Sequence, residues 1–258
     1  LTHPAIKIPT KEIAEINHAI SDGLKISLIT YVLGNMGEAK LKYILDRTLF
    51  KYGRQDLMEL FYTAAKELIA NSTKAAIKRM IFQEMGLNIQ EEVDYRKGME
   101  RFKSYLNERK FPAYRSKMKE NNYFIKITIS HSPRKMSLSV INNFSLIPIE
   151  EERVKEKFQH AKKYDNLFEF FMAHGDNSEG AGMGITMVEI LLSQSGFDRN
   201  NFIVLSSDKA NITIAKVEIP LISGDTCCQW LTTVNKLFLI LLPLRKLRKY
   251  CLNGESNK

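Results

Sequence analysis

Apolar and polar residues alternate from Tyr123 to Ile129, with Ile125, Ile127 and Ile129 on one side and Phe124, Lys126 and Thr128 on the other. That period of two predicts a half-buried strand. After a Ser132-Pro133 turn, residues 136–142 continue as a second strand, so the pair reads as a hairpin. Residues 202–206 and 212–219, joined by a Ser207-Asp208-Lys209-Ala210 turn, predict a closing strand pair. Residues 24–33, rich in Ile, Thr and Val, predict a further strand ended by Gly34 and Gly37. Helical spacing sets in elsewhere: Ile13, Ile16 and Ile20 within residues 11–22, then two long helices over 38–52 and 55–84, the second stopping before Gly86. A charged, mostly helical stretch fills 86–122. Pro148 and the acidic Glu150-Glu151-Glu152 open another helix reaching about residue 163, with negative charge at its positive end. Helices before and between antiparallel strands predict an α+β sandwich with the helices on one face of the sheet.

The 258 residues, 44% hydrophobic and 26% charged, are enough for a globular chain with a real core, as one large domain or a domain with appendages. Cys227, Cys228 and Cys251 have no C-x-x-C spacing, so neither a zinc site nor a disulfide framework is expected. With no signal-peptide pattern after Leu1, a reducing cytoplasm is the expected location.

The net charge of +9 gathers between residues 95 and 119, at Arg96, Lys97, Arg101, Lys103, Arg109, Lys110, Arg115, Lys117 and Lys119, and again at Arg245, Lys246, Arg248 and Lys249. Aromatic stacking residues are sparse in the first cluster and it carries no nucleic-acid-binding motif, so a solvated helical face is the expected role and nucleic acid is not an expected partner. In the tail, residues 237–244 are apolar on all sides and run into the basic 245–249, yet are too short to cross a bilayer. Peripheral membrane contact through 229–250 and a buried terminal helix or oligomer contact both fit this pattern.

Candidate chemistry lies in two places. Gly180, Gly182 and Gly184 alternate around Ala181 and Met183 and run into an apolar, helix-compatible segment. Backbone without Cβ atoms can bring its N–H groups against an anion, and the positive end of the following helix faces the same place, so the stretch reads as a phosphate cradle or as an ordinary glycine turn. On the long helix, Glu67, Asn71 and Lys74 are spaced i, i+4, i+7, which aligns a carboxylate, an amide and an ammonium on one stripe. The Asn71 oxygen is a hard ligand suited to a Mg²⁺ that takes its remaining ligands from water and phosphates. Lys74 would supply charge to those phosphates and Glu67 would polarise a water. A solvated face with a Glu–Lys contact is the alternative.

Taken in order, these segments resemble the Bergerat-fold (GHKL) ATPases, the superfamily of histidine kinases, gyrase-type topoisomerases, MutL-like proteins and certain heat-shock chaperones. Residues 67–75 are similar to the N box in its E-x-x-x-N form, and residues 140–148 take the place of the first glycine box. Residues 167–171 resemble the kinases' F box, 176–188 their lid and second glycine box, and 202–221 their final hairpin. The resemblance spans 55–221, with 1–54 a preceding helical and strand region, 86–122 a basic insertion, and 222–258 a tail. It implies a two-layer α/β sandwich with a mixed, largely antiparallel sheet, and a histidine kinase-like site for ATP and Mg²⁺. In that site Glu67 would be the catalytic base and Asn71 the metal ligand, with Lys74, Asn142, Ile147, Gly180, Gly182, Met183 and Gly184 around the nucleotide.

The chain departs from the pattern at the first box, where an Asp followed by glycines normally meets adenine and this sequence has Asn142, Phe144 and Leu146. His18 lacks the acidic neighbour of a phosphoacceptor histidine, and only a short tail follows Leu221. The expectation is therefore a Mg-ATP-binding module, an ATPase or protein kinase that acts on a separate protein partner as a signalling phosphotransfer component or as an ATP-driven conformational switch. A catalytically inactive nucleotide-sensing or protein-interaction module is the alternative.

Overall fold

The computed structural model describes residues 7–105, 108–174, 184–221 and 248–250. Its elements run α1 (Thr10–Ser21), β1 (Ile26–Thr30), α2 (Asn35–Lys51), α3 (Met58–Glu84), α4 (Glu92–Lys103), α5 (Arg115–Glu120), β2 (Ile125–His131), β3 (Lys135–Asn142), α6 (Pro148–Ala161), α7 (Leu167–His174), α8 (Gly184–Gln194), β4 (Phe202–Ser207), β5 (Ile212–Pro220) and β6 (Arg248–Tyr250). The class is α+β. The strands lie in the order β1-β2-β3-β5-β4-β6, and every described pairing is antiparallel rather than mixed.

The register explains which face is apolar. Ile127 sits opposite Val140 and Ile129 opposite Leu138, while Leu138 faces Val217 and Val217 faces Phe202 across the next two ladders. Because side chains alternate, aligning these positions gathers one continuous buried surface across four strands. Helix α3 lies on it through Phe61, Ala64, Ala65, Leu68 and Ile69, and the same cluster takes in Ile16 and Ile20 of α1 and Leu41, Ile44, Leu45 and Leu49 of α2. The first strand is shorter than its Ile- and Val-rich stretch. It ends at Thr30, whose hydroxyl donates to the Val32 carbonyl (2.7 Å), and Gly37 falls inside α2 rather than in a turn.

The charged segment 86–122 folds onto the second half of α3. Phe102, Phe111 and Met118 bury with Ala76, Ile77, Met80 and Ile81 of that helix. The basic residues of 95–119 therefore decorate an element whose apolar side is already occupied. Helix α4 comes in at Gly98, where a Cβ would lie 2.3–2.6 Å from ring atoms of Phe82. Only a residue without a side chain allows that approach. Among the described residues no helix is long and apolar enough to cross a membrane. The apolar run 237–244 lies outside the described residues, and Arg248–Tyr250 pairs with β4 at the sheet edge.

Gly98→Ala drives a methyl into the buried Phe82 ring and is expected to cost about 2 kcal/mol, in the range of overpacking substitutions. Urea unfolding of the two proteins checks this, and an unchanged midpoint would contradict the close docking of α4.

Candidate functional site

Helix α3 is buried on most of its circumference because the sheet lies on one side and the 86–122 segment on another. The stripe of Glu67, Asn71 and Lys74 is half-buried, on a side left for α8. Gly184, the first residue of α8, meets it directly: a Cβ there would lie 2.6 Å from Glu67 Oε2, 2.7 Å from Asn71 Nδ2 and 3.3 Å from Glu67 Cβ. The last of the three alternating glycines is thus a close-approach glycine, fitted against the carboxylate and the amide that the helical spacing had aligned. Asn71 Nδ2 is buried with no hydrogen-bond partner among the described residues. An unpaired amide is costly in a closed interior, and this one fits a site in which the Asn71 side chain meets a ligand. Gly180, Gly182 and Met183 lie outside the described residues.

Asn142 ends β3 against α3. It is buried, and its Nδ2 donates to the Ser72 carbonyl at 3.3 Å, which joins the strand end to the helix. Beside it in register is Thr213, whose hydroxyl donates to the Phe144 carbonyl at 2.8 Å. Phe144 is buried, with the Arg79 guanidinium 4.0 Å above its ring and Tyr123 edge-on at 5.8 Å. The loop that follows is fixed along its length. Ser145 N–H donates to Asn211 Oδ1, Leu146 N–H to Ser206 Oγ, and Arg79 to the Ser145 carbonyl. Ile147 serves as the N-cap of α6, and its side chain is buried with Phe82 and Tyr95.

Glu150, at the third position of α6, accepts from the Ile147 N–H at 3.2 Å and from both Arg79 nitrogens at 3.1 and 2.6 Å, and is paired with Lys78. Burial alone would raise its pKa. Lys78 and Arg79 overcome that and hold the carboxyl at about 2. Farther along α6, Arg153 donates to the Tyr95 hydroxyl at 2.9 Å, and one turn on stands the half-buried Lys157. Burial and the neighbouring cations Arg153, Lys74 and Lys78 push Lys157 down to about 8. Lys157 thus feels cations of both α3 and α6, of which Lys78 is itself paired with Glu150.

Spacing had pointed to Lys74 but not to Lys78, Arg79, Arg153, Lys157 or Glu150. Lys78 follows Lys74 by one turn and Lys157 follows Arg153 by one turn, a signal present in the sequence but shared with any solvated basic face. Helix α8 also holds an unforeseen acid. Glu189 is fully buried, neither carboxylate oxygen has a hydrogen-bond partner among the described residues, and burial raises its pKa to about 7 against the opposing pull of Arg199 and Lys162. Among the described residues, no group of three or more His, Cys, Asp or Glu side chains is placed to hold a metal by protein ligands alone.

No family model matches the chain, and no solved structure matches it. It is 29% identical over 207 residues, 80% of its length, to an uncharacterized protein of Treponema pallidum (strain Nichols). The aligned part is 40% of that relative, so the chain corresponds to about two fifths of the longer protein.

Two expectations follow from this geometry. The atoms nearest a Cβ at Gly184 include the outer ends of the Glu67 and Asn71 side chains, which can swing aside. Gly184→Ala should leave unfolding free energy within about 1 kcal/mol of the wild type, while displacing the two groups from the site. Side-by-side denaturation and ligand titration would register the split. For Glu189, the folded pKa lies above the unfolded one, so the folded protein holds the extra proton between about 4.5 and 7. Stability therefore falls as pH rises through that window and the loss is complete above it. Glu189→Gln should gain on the order of 3 kcal/mol at pH 8 and little at pH 4.5, as measured by unfolding at both pH values.

Proposed function

We propose that the chain is a histidine kinase-like ATP-binding module of the Bergerat type, binding Mg-ATP between α3, the β3–α6 loop and the start of α8. The observation that carries this reading is the fit of Gly184 against Glu67 and Asn71. Residues that the resemblance assigns to the N box and the second glycine box lie more than a hundred positions apart in the chain and are in contact here. The Asn142 bond to Ser72 brings the first-box strand end to the same helix.

In this reading Asn71 would hold Mg²⁺ through its amide oxygen, and the cation would neutralise charge on the phosphate oxygens. Lys74 offsets further phosphate charge. Glu67 accepts a proton from a water directed at the terminal phosphorus. The bond from that phosphorus to the bridging oxygen breaks, and ADP and phosphate leave. A protein acceptor in place of that water would make the same site a kinase, acting on a separate partner.

A non-catalytic, nucleotide-sensing reading is favoured by one feature: the side chain of Phe144 and the Arg79 guanidinium fill space beside Asn142 where the family pattern has glycines. Calorimetric titration of ATP and ADP, with and without Mg²⁺, tests binding. Binding of ATP is expected to require Mg²⁺ and to be lost in Asn71→Ala, and no heat with any nucleotide would overturn the proposal. Phosphate release separates the two readings. It should fall by about 10²-fold or more in Glu67→Ala if the carboxylate is the general base, and equal release by both proteins would remove that role.

A further inference from the structure

We propose that the face of the sheet turned away from the helices is a docking surface for the chain's own apolar run, residues 237–244, which covers it on the β4–β5 side. The inference concerns the other side of the sheet from the candidate site and is independent of what that site binds.

Alternation sends the side chains of each strand to two faces. Phe202 and Val204 of β4 and Val217 of β5 enter the cluster that holds the helices, and the described helices that reach the sheet share that cluster. Ile203 and Leu205 of β4 and Ile214 of β5 lie on the other face, where Leu205, Ile214 and Ile141 form one row across three strands. Ile203 and Leu205 belong to none of the apolar clusters of described residues, yet only 8% and 7% of their surface is exposed. On the same face Lys216 and Glu218, paired at 2.7 Å, keep 13% and 15% of their side chains exposed. The solvated face of an antiparallel sheet leaves such residues largely in water. Ile29 of β1 continues the row at the opposite edge and is 66% exposed. Burial on this face is therefore graded, deep at β4 and lost at β1.

The chain supplies an occupant of the right kind in the right place. Residues 222–247 separate the end of β5 from β6, which pairs antiparallel with β4 and so runs parallel to β5. Parallel strands of one sheet are joined by a crossover that travels back along the sheet. The helix side of β4 and β5 is filled, so the open face is the surface left for it. The apolar run ends at Leu244, four residues before Arg248, a stretch that spans at most about 14 Å. Strands lie about 4.8 Å apart, so that reach takes in β4 and β5 from β6 and falls short of β1, five strands away at about 24 Å. The reach matches the gradient of burial. Residues 237–244 carry no charge, and seating them on Ile203, Leu205 and Ile214 removes apolar surface from water on both sides of the contact.

The test uses the full chain with a photo-crosslinking amino acid in place of Ile214 or, in a second preparation, of Ile29, and maps the products by mass spectrometry. Cross-links from position 214 to residues 229–247 of the same chain are expected, in a product of monomer mass, and none from position 29. Amide exchange gives a second measurement. Residues 237–244 should exchange about tenfold or more slowly in the full chain than in Ile214→Glu, whose fold is checked by thermal melting. Cross-links from position 214 only to a second chain would assign the face to a dimer. Loss of the intrachain cross-link together with flotation on phosphatidylserine vesicles would assign the run to a lipid surface. Either result overturns the inference, as does equal exchange of 237–244 in a folded Ile214→Glu. If that variant does not fold, the cross-linking result decides alone, and no intrachain link from position 214 to 229–247 sinks the proposal.

Discussion

The buried carboxylate of Glu150 is the point on which the arrangement of the candidate site depends. It sits at the first turn of α6, accepts the Ile147 N–H at the helix N-terminus, and is held by Lys78 and Arg79 from the middle of α3. A charge so deeply enclosed is tolerated only when its lone pairs are met by charged donors in good geometry. That requirement leaves few orientations for α6 relative to α3. From this one junction follow the hold of Arg79 on the β3–α6 loop at Ser145 and the seat of Phe144 beneath its guanidinium. The junction is specific where an apolar contact would have been permissive: removing Glu150 leaves the Lys78 and Arg79 charges enclosed without their counter-charge.

Much of the fold was legible because its elements carry strong periodicity. The β2–β3 hairpin, the closing β4–β5 pair and the length of α3 all follow from residue spacing. Legibility failed where boundaries are decided by tertiary contact. The Ile- and Val-rich stretch before Gly34 runs past the end of β1, because only residues 26–30 find partners on β2. Gly37, a plausible strand terminator by type, is an ordinary residue of the first turn of α2. The antiparallel order of the whole described sheet was likewise out of reach, since which strands are neighbours is settled across the long helices and not within any local window.

The candidate site divides in the same way. Glu67, Asn71 and Lys74 could be aligned from one helix alone, because the helical period fixes their relative directions. Their contact with Gly184 could be suspected only through the order of motifs. Lys157 and Arg153 stayed hidden because a basic pair one turn apart is the commonest decoration of a solvated helix. What sets them apart comes from other elements: Tyr95 of α4 for Arg153, and burial among neighbouring cations for Lys157. Glu189 looked like any polar residue in an apolar helix, and nothing local revealed that it would be enclosed.

Helix α3 has a consequence of its own. Its 27 unbroken residues extend about 40 Å. The stripe that begins at Glu67 and the Phe82 ring on which α4 rests belong to one hydrogen-bonded rod, with Asn71 and Phe82 separated by about 16 Å along its axis. A rod of that kind transmits tilt with little loss. The docking point of α4 at Gly98 and the Glu67–Asn71 stripe are therefore held at a spacing set by the helix pitch. The basic segment and the candidate site thus share one rigid element that is seated on the sheet.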